Sequence, residues 1–172
     1  IIAGGVNDWS YAASASGSYR ATTPIGDWDG HAPVNPTAID SGDSTFMESY
    51  AYMIKRLRAN YPNAIIVAST VWRSVGRGSF DPATPTATSE GLVLLNAVGN
   101  STQDYSNAIE RVCKIMDVPL VNVADIGITK ENAYPTYVQD NEEKPTHTNP
   151  IGQAIIAKRY IEELPRLVKQ FK

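Results

Sequence analysis

Cysteine is almost missing from this chain of 172 residues: Cys113 stands alone. One thiol excludes an internal disulfide framework and a multi-cysteine metal site. Its place on the apolar side of a helical pattern makes it a packing residue. Charge of one sign is lacking too. Fifteen Lys and Arg against 18 Asp and Glu give a net charge of −3, which offers nucleic acid no electrostatic attraction. The one basic cluster, Lys55-Arg56-x-Arg58, has helical spacing and reads as a solvated helix face. No apolar run is long enough to span a membrane. A Gly-rich phosphate loop opening a helix is also wanting, which speaks against a flavodoxin-like nucleotide or flavin protein, and no cofactor is expected.

What is present is an ordinary globular composition, 42% hydrophobic, in a length that suits a single domain over residues 1–172. Three short β-rich runs stand out: Ile1–Ala3, Ala64–Val71 and Val118–Ala124. They are apolar without strict alternation, as strands of a buried parallel sheet are. Each leads through a loop into a helical pattern. In the first, Thr45 and Glu48 have capping-box spacing ahead of the stripe Phe46, Tyr50, Met53, Ile54 and Leu57. The second places Tyr105, Ile109, Val112 and Met116 on one side, with Ser101 or Thr102 as its cap. The third runs from Asn149-Pro150 to about Phe171, where Pro165 is expected to kink or divide it. The β-α-β-α-β-α order predicts a three-layer α/β/α fold around a parallel sheet with right-handed crossovers. Two long stretches, Ser10–Ser44 and Arg73–Asn100, are loops of the length usually given to function.

Ligands of open parallel sheets sit at the carboxyl ends of the strands, and two stretches fall there. Gly5-Val6-Asn7-Asp8 follows the first strand directly. His147, in "PTHTNPIGQAIIA", precedes the last helix. Imidazole suits proton transfer near neutral pH, and a carboxamide held at a strand end can donate to a developing oxyanion. The plain alternatives are a turn at Asn7-Asp8 and a hydrogen-bonded histidine near a helix start.

"IIAGGVNDWS" resembles the third sequence block of the SGNH (GDSL-type) hydrolase superfamily, and "THTNPIGQAIIAKRYIEEL" resembles the fifth, D-x-x-H-P-N-x-x-G. The intervening "MIKRLRANYPNAIIVASTV" is similar in spacing. The resemblance implies a five-stranded parallel sheet between helices, of which this chain supplies about three strands. It implies hydrolysis of acyl esters, of lipids or acylated carbohydrates, hence a small-molecule or glycan ester as substrate. Asn7 would be the oxyanion donor, His147 the general base, Gly5 the point of close backbone approach and Asp8 the brace of its loop. Secretion or a cell-surface location is favoured by analogy alone.

The sequence departs from that pattern twice. The serine block and the second oxyanion glycine precede G-x-N-D in the family, so Ile1 is expected to be internal to a larger domain, with an N-terminal fragment supplying the nucleophile. The Asp expected three residues before the histidine is Lys144, which leaves Glu143, Glu142 or Asp140 to orient His147, or a Ser-His dyad. Gly42-Asp43-Ser44 spells the nucleophile motif, but "HAPVNPTAID" before it is no buried strand, and Ser44 sits at a helix cap. Asp27-x-Asp29-x-His31 alternates O and N ligands without a second cluster to complete a metal site. Trp9, Trp28 and Trp72 lie near strand ends or in loops, where they pack or wall a substrate cleft. The rival reading is an esterase fold without catalysis that retains a carbohydrate cleft.

Overall fold

The computed structural model of the chain describes residues 1–3, 24–41, 44–72, 99–128, 132–133, 135–139 and 147–169. Three parallel strands form one sheet in the order β1 (Ile2–Ala3), β2 (Ala68–Ser69), β3 (Leu120–Val121). Ile2 pairs with Ala68 and Ala68 with Leu120, while Ala3 pairs with Ser69 and Ser69 with Val121. Among the described residues four helices accompany them: α1 (Pro36–Ser41), α2 (Phe46–Asn60), α3 (Thr102–Met116) and α4 (Pro150–Lys169).

The strands are shorter than the apolar runs predict, and local chemistry explains it. Hydrogen bonds run from Ile2 N–H to Val67 O (2.7 Å), Ala68 N–H to Pro119 O (2.9 Å) and Thr70 N–H to Val121 O (3.1 Å). Toward the amino ends Pro119 has no N–H to continue the ladder. Toward the carboxyl ends a side chain takes over. Thr70 Oγ1 accepts the N–H groups of Val123 (2.8 Å) and Ala124 (3.0 Å) and donates to Asn122 Oδ1 (3.3 Å).

Both faces of the sheet are covered. On one, α2 and α3 bury Phe46, Met47, Tyr50, Ile54, Tyr105, Ile109 and Val112 against Ala68 and Val71. On the other, Ile156, Tyr160, Leu164 and Leu167 of α4 pack on Val67, Val121 and Val123. The protein is a three-layer α/β/α structure. Cys113 lies in the first core, where burial pushes its thiol up to about 12. Burial also lifts the Tyr50 phenol well above its ordinary range, and its hydroxyl meets no partner among the described residues.

Helix starts follow the sequence closely. Thr45 caps α2 with Glu48 closing the box, and Ser101 caps α3 with Asp104 in the same role. The next two donors of α2, Phe46 and Met47 N–H, go to Pro24 O and Ile25 O at 3.0 Å each. That contact presses Gly26 (φ +83°) so close to Thr45 that a Cβ there would stand 2.5 Å from it. α4 runs through Pro165 as one helix, so the proline does not divide it. Pro165 and Ile161, whose carbonyl the proline frees, are both on the exposed side, where water can satisfy it. Lys55, Arg56 and Arg58 are exposed, as expected of a solvated face.

Thr70→Val removes the acceptor that Val123 N–H uses while keeping the side-chain shape. It is expected to cost about 1–3 kcal/mol, read as a lower urea midpoint at unchanged m-value.

Candidate active site

In a parallel sheet the loops that leave the carboxyl ends gather on one edge. β2 ends there in Thr70, Val71 and Trp72, and β3 in the stretch from Asn122 to Ile128. Asn122 Oδ1 accepts the Ala124 N–H (2.9 Å), so Thr70 and Asn122 together fix the direction in which the chain leaves β3. Arg159 of α4 donates to Asp125 O at 3.0 Å and Asn132 Nδ2 to Gly127 O at 2.9 Å. Ile128, Ala133 and Val138 then close a small core against Trp72, Ile126 and Tyr137.

His147 is held by this segment. Val138 and Thr148 form an antiparallel bridge, flanked by Gln139 N–H donating to His147 O (3.0 Å) and Asn149 N–H to Tyr137 O (2.9 Å). Side chains alternate along such a ladder. Val138 is buried and His147 is exposed. Just beyond, Asn149 caps α4 by accepting Ile151 and Gly152 N–H at 3.0 Å each. Its Nδ2 reaches the other way and donates to Pro135 O (3.1 Å) and Thr136 O (2.9 Å). Gly152 faces the same strip so closely that a Cβ would lie 2.3 Å from Tyr137 O.

Trp72 is half-buried between the two smaller cores. It borders a cavity of about 170 Å³ between sheet and α4, walled also by Ala3, Thr70, Val123, Ile156 and Tyr160. Trp28 is buried in the main core, its Nε1 bonded to Ala32 O at 2.9 Å and its ring under Lys55 Nζ. Among the described residues it serves as core packing. Ser44 is buried with its Oγ 2.7 Å from Ser49 Oγ, next to the Thr45 cap. Asp27 pairs with Arg111. Asp29 accepts the backbone N–H of His31, which holds its carboxyl below the usual range. Gly5, Asn7, Asp8 and Trp9 lie outside the described residues, as do Asp140, Glu142, Glu143 and Lys144. The sequence reading did not anticipate Thr70, Asn122 and Gly152 as parts of this edge, and it took Asn149 only as a cap.

A parallel sheet clad by helices on both faces, with a histidine segment anchored at its carboxyl edge, defines the class as a three-layer α/β protein. The chain matches the GDSL-like Lipase/Acylhydrolase family over residues 1–155 and belongs to that family. Solved structures share the fold. A protein from Lactobacillus plantarum is 20% identical with a TM-score of 0.63, the match covering 95% of this chain and 64% of that one. A protein described as a possible lipase from Chitinophaga pinensis DSM 2588 is 18% identical with a TM-score of 0.63, covering 96% and 71%. Another structure is 22% identical with a TM-score of 0.62, covering 96% and 63%. The chain thus spans less than two thirds of two of these proteins, and at such identities the likeness is one of fold. No curated protein sequence matches it.

Gly152→Ala sets two effects against each other. Alanine favours a helix interior by about 1 kcal/mol, but forcing a methyl onto the Tyr137 carbonyl costs about 1–3 kcal/mol. The collision should win, and urea denaturation is expected to show a net loss of stability. A stabilised variant would contradict the close approach.

Proposed function

We propose that this chain belongs to an acyl-ester hydrolase and supplies its general base and an oxyanion donor. A serine from outside residues 1–172 attacks the ester carbonyl while His147 takes its proton. Asn7 donates to the tetrahedral oxyanion, with Gly5 admitting the close backbone approach and Asp8 bracing the loop. Collapse expels the alcohol, which leaves with the proton from His147. Water, deprotonated by the same imidazole, then releases the acid. Asp140, Glu142 or Glu143 orients the ring in place of the residue that Lys144 replaces, or a backbone carbonyl does so and leaves a Ser-His dyad.

The observation that carries this reading is the family match over residues 1–155, a span that includes both Gly5-Val6-Asn7-Asp8 and His147. Ser44 is bonded to Ser49, Ser69 lies within β2, Ser101 caps α3, and Ser106 Oγ donates toward the carbonyls of Val71 and Thr102. Among the described residues Ser44, Ser101 and Ser106 are held in hydrogen bonds of the fold, and in this reading the nucleophilic serine is carried by an N-terminal part of the same domain. The substrate class is an ester of a lipid or an acylated carbohydrate, with Trp9 and Trp72 as walls of its cleft. Lys144 favours the second reading, a glycan-binding domain on the same fold without turnover.

The test is turnover of p-nitrophenyl acetate by the whole protein and two variants. Asn7→Ala is expected to lower kcat by about 100- to 1000-fold, and His147→Ala at least as much, each with an unchanged far-UV spectrum. Undiminished turnover in either variant would end the assignment. Glycan binding with no turnover by the parent would decide for the second reading.

A further inference from the structure

Asn149 uses its two amide atoms in opposite directions. Its Oδ1 accepts Ile151 and Gly152 N–H, which is the ordinary work of a helix cap. A serine, threonine or aspartate would do that as well. An aspartate has no proton to give and a hydroxyl has one, whereas the carboxamide carries two N–H donors on a separate atom, and Nδ2 donates to two successive carbonyls, Pro135 and Thr136, on the strip that pairs with the histidine segment.

Among the described residues that strip consists of one bridge, Val138 to Thr148, with a single backbone bond on each side. A ladder so short has little register preference of its own, and a slip by one residue would turn every side chain to the other face. Val138 would leave its core and His147 would turn inward. Nearby, Gly152 keeps α4 against Tyr137 O, and Gln153 Nε2 donates to Thr148 O at 3.2 Å. Asn149 thus joins the first turn of α4 to the strip whose register sets where His147 emerges.

We infer that Asn149 is a positioning residue for His147, acting through the Nδ2 bonds to Pro135 O and Thr136 O and separately from its capping of α4. The inference rests on the proposed role of His147 as general base. The donor pair fixes the imidazole along the edge of the sheet. A displacement of about 1 Å at a catalytic group can cost about 100-fold in rate.

Asn149→Asp separates the two roles. The carboxylate remains a good cap, and its charge suits a helix N-terminus, but it cannot donate and faces two carbonyl oxygens instead. In the whole protein, Asn149→Asp is expected to reduce kcat for p-nitrophenyl acetate by about 10- to 100-fold, with KM within about twofold and α4 amide protection retained. Exchange of the Gln139 amide, which donates to His147 O, should speed up about tenfold or more. Asn149→Ala, which loses cap and clamp alike, should show the same kinetic loss together with faster exchange in the first turn of α4. A kcat and a Gln139 exchange rate both within twofold of the parent in Asn149→Asp would overturn the inference and leave Asn149 a cap alone. If His147→Ala is as active as the parent, the general-base reading fails by itself. The Gln139 exchange rate still decides whether Asn149 fixes the register.

Discussion

The hydroxyl of Thr70 is the interaction on which the rest depends. Strands of two residues each make very little ladder, and an isolated ladder of that size does not hold. Thr70 extends it with a side chain: by accepting the N–H groups of Val123 and Ala124 it keeps β2 and β3 together past the last backbone bond. It is buried, so the Val123 N–H it satisfies would otherwise be stranded in a dry interior, while the Ala124 N–H also reaches Asn122 Oδ1. From that point the chain leaves β3 in a fixed direction, toward Ile126, Ile128 and the strip that carries His147.

The two faces of the sheet contribute differently. α2 and α3 form a thick apolar layer with edge-on aromatic contact between Phe46 and Tyr105, whose centroids are 5.0 Å apart at 78°. That layer is the rigid platform. α4 on the other face is held more lightly, and Gly152 is its one fully buried residue. Its first turn is nevertheless the best-anchored part of it, because Asn149, Gly152 and Gln153 all engage the histidine strip. The lightly packed helix is fastened at the end nearest the candidate chemistry, an arrangement that orders a site without demanding a heavy core behind it.

Much of this was legible in the sequence. The order of the three strands and of α2, α3 and α4 followed from short apolar runs alternating with helical stripes, whereas α1 lies inside the stretch Ser10–Ser44 expected as a loop. The capping boxes at Thr45 and Ser101 followed from a hydroxyl with an acid three residues on. These are local patterns, written within a few neighbouring residues. Strand lengths were not legible, because apolar runs such as Ala64–Val71 serve the core whether or not they pair, and a proline in the adjacent strand ends the ladder. Continuity through Pro165 depended on exposure, which no local pattern carries. At the candidate site, His147 stood out through its residue type and its motif. Asn149 looked like a cap because its second set of bonds joins residues 13 and 14 positions away, and such contacts exist only once the chain is folded. Thr70 reads as one more β-branched residue in a strand until its partners, 53 and 54 positions away, are seen.

In the proposed function His147 and Asn7 bring a base and an oxyanion donor to a serine from outside residues 1–172. The most direct measurement is a denaturing mass spectrum, with peptide mapping, of the whole protein after reaction with a fluorophosphonate. The account predicts one phosphonyl adduct on a serine outside residues 1–172, formed far more slowly when His147 is replaced by alanine. An adduct on Ser44, or ester turnover by a protein that takes up no phosphonyl group, would contradict it.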